Sequence, residues 1–212
     1  MAKAIPLDTR TAKAPAAYTI KITLRGSKPS IWRRFCVPAE ITLDRLHDVI
    51  QIVMGWEESH LHCFEIDGRK FTEDPEEPDS DRVEEADFVL SDLVPRSGTK
   101  FTYEYDFGDG WRHELLVESV DEVPEEHRAC ISCMDGKRAC PPEDVGGIGG
   151  YEEYLAALKD PKHPEHRSYQ EWRGPSFDPN TLDFDAVNIE LAKYSRWSRP
   201  RPVLQELFVG NG

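Results

Sequence analysis

The sequence has no apolar run approaching the roughly 18 residues that a membrane-spanning helix requires. Its opening, MAKAIPLDTRTAKAPAAY, lacks the apolar core of a secretory leader. A cytoplasmic chain with no membrane contact is therefore expected. Positive charge is also scarce. Against 40 Asp and Glu stand 26 Lys and Arg, a formal net charge of -14, so this is an acidic protein. Its field repels a phosphate backbone over most of the surface and disfavours general nucleic-acid binding. There is no G-x-S-x-G nucleophile elbow, no H-E-x-x-H zinc motif and no P-loop lysine, so no familiar hydrolase or nucleotide signature is written in the chain. Cysteine is sparse and odd in number: Cys36, Cys63, Cys130, Cys133 and Cys140 cannot all pair, which suits a reducing compartment.

What is present describes a folded chain. At 212 residues with 39% hydrophobic content, one domain with a substantial core is expected. YTIKITL alternates, with Tyr18, Ile20, Ile22 and Leu24 on one face, and IWRRFCV places Ile31, Arg33, Phe35 and Val37 on one face; Gly26 to Ser30 turns between them. Thr42 stands where it can cap a helix with apolar positions Leu43, Leu46, Ile50 and Val53, which Gly55 stops. HLHCFEI resumes as a strand, Asp67-Gly68 turns, and Arg69 to Phe71 begins the return. The acidic, Pro-containing stretch from Glu73 to Asp87 reads as an exposed loop.

KFTYEYDF and WRHELLVESV then flank the stretch YDFGDGWRH. The order strand, strand, helix, strand, short strand and long hairpin predicts an α+β fold in which a β-grasp-like mixed sheet wraps one helix. Beyond Val123 the pattern turns helical, with Tyr151, Tyr154, Leu155 and Leu158 on one face, a short helix after Pro164, and a third through Phe184, Val187, Leu191 and Tyr194. The expected organisation is a mobile segment over 1–17, a single α+β domain over 18–194, divided into a sheet part (18–123) and a loop and helical part (124–194), and a basic then apolar tail over 195–212.

The stretch YDFGDGWRH packs Asp106, Asp109 and His113 into nine positions. A two-residue turn at Asp109-Gly110 sets Asp106 opposite His113. A three-residue loop, Gly108-Asp109-Gly110, sets Phe101, Tyr103, Tyr105 and Phe107 against Val117, Leu115, His113 and Trp111, with every large apolar residue on one face. Because a one-residue slip flips a strand between core and solvent, the second register is expected, with Asp106 paired to Arg112 and His113 bordering an aromatic layer. A functional role for His113 requires His60 and His62 to converge on it.

Other chemistry is weaker. Cys130, Cys133 and Cys140 have C-x2-C-x6-C spacing, and with His127 they are candidate zinc ligands, although no second cysteine pair supports them and reduced thiols in a loop are the plainer reading. GGIGG precedes a helix whose N-terminus is suited to phosphate, yet Glu143 and Asp144 oppose an anion there; a flexible joint is favoured. His163 and His166 lie three apart. The tail residues Lys193, Arg196, Arg199 and Arg201 are the one place where nucleic acid is a credible partner.

The blocks WRRF, LHDVIQIVMGWEESHLHCFEI, YEYDFGDGWRHELLVE, ACPPEDVGGIGGYEEYLAALKDPKHPEH and FDPNTLDFDAVN, from Ile31 to Asn188, resemble the plasmid pRiA4b ORF-3-like family. The family pattern matches at His60, His62, Asp106, Asp109, His113, Glu143, Asp144, His163 and His166. Many relatives carry Cys where this chain has Val145, and some lack Cys140, which turns attention from the cysteines to the His and carboxylate set. The resemblance implies a largely uncharacterised, mobile-element-associated protein, some relatives bearing resolvase-like or transposase-accessory labels. Three readings follow: a non-enzymatic module that binds a protein partner, a DNA-recombination accessory working through the basic tail, and a metal-dependent enzyme using the His and carboxylate set.

Overall fold

The computed structural model describes residues 16–73, 82–174 and 176–197. Eight strands form one mixed sheet: β1 (Ala16–Leu24), β2 (Trp32–Pro38), β3 (His62–Ile66), β4 (Arg69–Thr72), β5 (Arg82–Glu84), β6 (Lys100–Tyr105), β7 (Trp111–Glu122) and β8 (Ser132–Lys137). Their spatial order is β5-β4-β3-β6-β7-β1-β2-β8. Only β4 and β5 pair in parallel; every other pairing, including the central β1 with β7, is antiparallel. Helices α1 (Leu43–Met54), α2 (Leu90–Leu93), α3 (Gly147–Lys159), α4 (His166–Arg173) and α5 (Phe184–Trp197) complete an α+β architecture.

Alternation determines which face of the sheet is buried. Tyr18, Ile20, Ile22 and Leu24 of β1, and Phe35 and Val37 of β2, are in the core, as are Leu43, Leu46, Val49, Ile50 and Val53 of α1. Fully burying each such aliphatic side chain contributes about 1.5–3 kcal/mol. The same hydrophobic cluster includes Tyr151 and Tyr154 of α3 and Leu191 of α5, so the helical half shares its core with the sheet.

Arg33 points inward with the apolar residues and is 1% exposed. Its guanidinium donates from Nε to the Val53 carbonyl at 2.7 Å, and from Nη1 to the carbonyls of Trp32 (2.9 Å) and Lys137 (3.1 Å). A cation is thereby placed on the last turn of α1, where unpaired carbonyls carry negative potential. Gly55 ends that helix with φ of 91° and donates its N–H to the Gln51 carbonyl.

Two segments differ from the sequence expectation. Much of the stretch read as an exposed acidic loop is structured: β5 pairs with β4, and a turn over Glu85–Asp87 follows in which Glu85 is buried. The stretch around Cys133, read as a loop, is the edge strand β8. Its shortness and its Gly and Asp content conceal it in sequence, and it is held by β2 on one side and by α5 on the other. There the Asn188 side-chain amide donates to the Cys133 carbonyl (3.0 Å) and accepts from the Cys133 N–H (2.9 Å), imitating a neighbouring strand.

Candidate metal centre

The β6–β7 connection is a five-residue loop over 106–110, because Tyr105 pairs with Trp111, Tyr103 with His113 and Phe101 with Leu115. The expected register is thus off by two residues. The face assignment survives, since a slip of two preserves parity, but the partners change. Arg112 pairs with Glu104 at 3.2 Å rather than with Asp106, and Phe107 is exposed rather than stacked on Trp111. Asp106 causes the longer loop. It adopts φ of 54°, and its Oδ1 accepts the N–H groups of Gly108 (2.9 Å) and Asp109 (3.3 Å), a turn that Asp forms readily. Its own N–H donates to the Leu61 carbonyl, which ties the loop to the entry of β3.

With Oδ1 engaged in the turn, Asp106 Oδ2 faces His60 Nε2 at 3.7 Å. The segment preceding α3 brings two more carboxylates to the same nitrogen: Glu143 Oε2 at 3.7 Å and Asp144 Oδ1 at 3.1 Å. The Glu143 side chain is only 4% exposed. Its Oε1 is satisfied, accepting from the Tyr105 hydroxyl at 2.9 Å and from the Glu57 N–H. Its Oε2 has no hydrogen-bond partner among the described residues, and neither has His60 Nε2. Asp144 Oδ1, at 3.1 Å, is the nearest of the three carboxylates to that ring nitrogen. Beneath the group lies an aromatic layer in which Trp56 packs on Tyr105 and Trp111 and meets His113 edge-on.

One donor atom each from His60, Asp106 and Asp144 lies within 4.8 Å of the others. Around an ion with bonds of about 2.1 Å, neighbouring donors sit about 3.0 Å apart in an octahedron and about 3.4 Å apart in a tetrahedron. The observed separations from His60 Nε2 run from 3.1 Å, close to the octahedral edge, to 3.7 Å, a little beyond the tetrahedral one. One imidazole and two carboxylates, with Glu143 also beside His60, are donors of the kind that suit a divalent first-row metal.

A second cluster lies across α1. His47 stacks on His62 with ring centroids 3.5 Å apart, and its Nδ1 is 2.8 Å from the Tyr103 hydroxyl. Burial, and secondarily the neighbouring His62, pushes His47 down to about 3, so its ring is neutral at ordinary pH. His62 Nε2 lies 2.9 Å from both oxygens of Glu85. Around them a cleft of about 260 Å³ is lined by Asp44, Asp48, Glu58, Glu73, Glu84 and Glu85. His47, Asp48 and Glu58 each offer a donor atom within 4.8 Å of the others. His47, Asp48, Glu58 and Glu85 were not singled out from sequence. The signal for His47 was its place on the apolar stripe of α1, four residues after Leu43 and three before Ile50.

The remaining sequence candidates lie apart from these clusters or serve the backbone. Asp109 Oδ2 accepts the Gly146 N–H at 3.0 Å, and the carbonyl of Asp109 sits where a Cβ on Gly147 would come to 2.4 Å. The GGIGG stretch is thus packed against the loop over 106–110 rather than serving as a flexible joint. His113 is fully buried, with Nδ1 3.3 Å from the Tyr103 carbonyl and Nε2 without a hydrogen bond among the described residues; burial pushes it down to about 4. His60 and His62 therefore do not meet on His113: one faces the loop and the other the α1 cleft. His163 Nδ1 accepts the Glu165 N–H, and His166 Nδ1 lies 2.7 Å from the Ala157 carbonyl, so both shape the α3–α4 connection.

Cys133 and Cys140 flank Arg33, and burial pushes both thiols upward, which keeps them protonated. Cys130 is exposed, and His127 ends the turn before it. Among the described residues, no grouping of three metal-binding side chains includes a cysteine. In the tail, Lys193 pairs with Glu190 at 2.6 Å, and Arg196 lies in the last turn of α5. Arg199 and Arg201 lie outside the described residues, as do 1–15 of the N-terminal segment. Among the described residues, no helix is long and apolar enough to cross a membrane.

An eight-stranded α+β protein with clustered histidines and carboxylates is the class that fold and site define. More particularly, the chain belongs to the plasmid pRiA4b ORF-3-like protein family, whose pattern matches residues 16–186. It is 37% identical over 186 residues to the uncharacterized protein y4hQ of Sinorhizobium fredii (strain NBRC 101917 / NGR234), covering 85% of this chain and 95% of that protein. It is also similar to the crystal structure of a protein of unknown function, MM3350, from Methanosarcina mazei Go1. That match has a TM-score of 0.72 at 38% identity, covering 82% of this chain and 98% of the other.

Proposed function

We propose that this protein is a metal-dependent protein whose working centre is a divalent first-row transition ion held by His60, Asp106 and Asp144, with Glu143 as fourth donor. The supporting observation is the pair of buried atoms, His60 Nε2 and Glu143 Oε2, which lie 3.7 Å apart and have no hydrogen bond among the described residues. Leaving such atoms unsatisfied costs about 1–3 kcal/mol each, and a shared ion removes both penalties. Charge argues the same way: three carboxylates around one imidazole leave an excess of negative charge that two units of positive charge offset better than one.

A cleft of about 300 Å³ reaches Glu143 and is lined also by Arg173, Tyr154 and Phe177. An ion at its side would act as a Lewis acid on an oxygen of a small polar ligand or on water, and the side chain of Arg173 suits an anionic group. Zinc, manganese and iron(II) all fit the donors. For the fold, the β1-β2-α1-β3 opening supports the β-grasp-like reading.

Elemental analysis of tag-free protein loaded with Mn²⁺, Fe²⁺ or Zn²⁺ tests the centre. His60→Ala is expected to abolish its occupancy. Asp106→Asn keeps the turn-forming Oδ1 and is expected to fold normally while losing about 10- to 100-fold in affinity. Equal affinity in both variants and the native protein would overturn the assignment.

The interaction-module reading draws support from Leu61 and Phe107, which are 62% and 42% exposed and lie on residues adjoining His60 and Asp106. A partner docking there would cover the same rim. The β8 edge is a poorer place for an added strand, because Asn188 already occupies the pairing position at Cys133.

A further inference from the structure

We propose that the cleft beside α1 is a second, separate cation site, in which His47 Nε2, Asp48 and Glu58 hold an oxygen-preferring divalent ion of the Mn²⁺ class. Acidic residues alone would not justify this, since exposed carboxylates commonly gather without a ligand. The decisive feature is His47. Its side chain is only 7% exposed and lines the cleft, with Nε2 4.0 Å from Glu58 Oε1, and it offers a donor atom within 4.8 Å of those of Asp48 and Glu58. The rest of the ring is held firmly. Nδ1 meets the Tyr103 hydroxyl, which also receives the Gln51 amide, and the ring face lies flat on His62 with an interplanar angle of 9°.

This is the construction expected of a metal-ligating histidine, whose other nitrogen is fixed by a hydrogen bond. Tyr103 Oη can accept the Nδ1 proton, which leaves the Nε2 lone pair for the cleft. Asp44, on the same wall, contributes another buried oxygen, Oδ1, that lacks a partner among the described residues. Among the described residues, no Lys or Arg lines the cleft. Carboxylates outnumber the single available imidazole nitrogen, so the preferred ion is a hard one that tolerates one nitrogen donor. His62 and Glu85 are positioning residues: Glu85 anchors His62, and His62 supports the plane of His47.

The two sites are independent in their donors but adjoin in sequence. Glu58 belongs to one and His60 to the other, and the segment between is held by the Glu58 N–H on Gln51 Oε1 and the Ser59 N–H on the Tyr105 hydroxyl.

The test uses the full chain and Mn²⁺ itself, counted by electron paramagnetic resonance of free and bound ion. In His60→Ala/Asp144→Asn, which removes the other centre, one Mn²⁺ per chain is expected to remain. Adding Asp48→Asn and Glu58→Gln, substitutions outside the core, should weaken that ion at least 100-fold while circular dichroism stays native. The proposal is overturned if the first variant binds no Mn²⁺, or if the added substitutions leave its affinity unchanged. Should the His60 centre itself not bind metal, native protein would hold a single ion that responds to Asp48 and Glu58 and not to His60.

Discussion

At the scale of the residue, the informative positions are polar side chains in an apolar setting. His113 is the clearest. Its ring is completely buried, Nε2 has no hydrogen bond among the described residues, and desolvation pushes it down to about 4. The folded protein therefore resists protonating it, whereas the unfolded chain takes up that proton near the ordinary histidine value of about 6.5. Above that value the residue exerts no pH-dependent effect. Between about 6.5 and 4 the unfolded state binds more protons, so stability falls as pH falls, by up to about 1.4 kcal/mol per pH unit. Urea midpoints of native protein and His113→Leu, compared from pH 7 to pH 4.5, should diverge in slope, with the native protein losing stability faster. Parallel curves would show that His113 titrates normally. The carboxylates with raised values, such as Glu85 and Asp48, act in the opposite sense, which is why the comparison between variants, not the native curve alone, is the measurement.

At the scale of the element, the extent to which the fold could be read depended on whether a segment's own pattern determined it. β1, β2, α1 and α3 carry period-2 or helical periodicity within themselves, and their buried faces are those the pattern indicates. The β6–β7 register is different. Apolar alternation determines only parity, so pairing Tyr105 with His113 or with Trp111 satisfies it equally, and the choice falls to the Asp106 turn. β5 and β8 are short and polar, made into strands by their neighbours. The site shares this limit: His60, Asp106, Glu143 and Asp144 were visible as residues, but their meeting depends on a loop and a helix entry separated by some 40 positions of chain. Gly147 joins those two elements, and a Cβ there would press to 2.4 Å from the Asp109 carbonyl at a φ of 68° that side chains rarely adopt. Gly147→Ala should therefore push the loop over 106–110 away from Asp144. Titration calorimetry is expected to give at least 10-fold weaker metal binding at the His60 centre, with the α1 cleft unaffected. Unchanged affinity would mean that the loop and the helix entry are not coupled in this way.

At the scale of the whole molecule, the excess of acid is unevenly distributed. The net charge of -14 includes carboxylates drawn together at two places, around His60 and beside α1. Such self-repulsion opposes the compact state and is relieved in two distinguishable ways. Monovalent salt screens it generally, because the Debye length falls from about 30 Å at 0.01 M to about 10 Å at 0.1 M. A bound divalent ion relieves it locally and also stabilises by mass action, about 2.7 kcal/mol for each site at 100 times its dissociation constant. Calorimetry of the metal-free protein should show Tm rising with sodium chloride. Micromolar Mn²⁺ should raise it further in two increments, both reversed by chelator, whereas the effect of sodium chloride is not. In His60→Ala/Asp144→Asn one increment should persist, and with Asp48→Asn and Glu58→Gln added neither should. If sodium chloride instead lowers Tm, attractive surface pairs such as Arg34 with Glu118 and Asp135 outweigh the acidic excess, and the argument from global repulsion fails while the two local sites are still judged by their own increments.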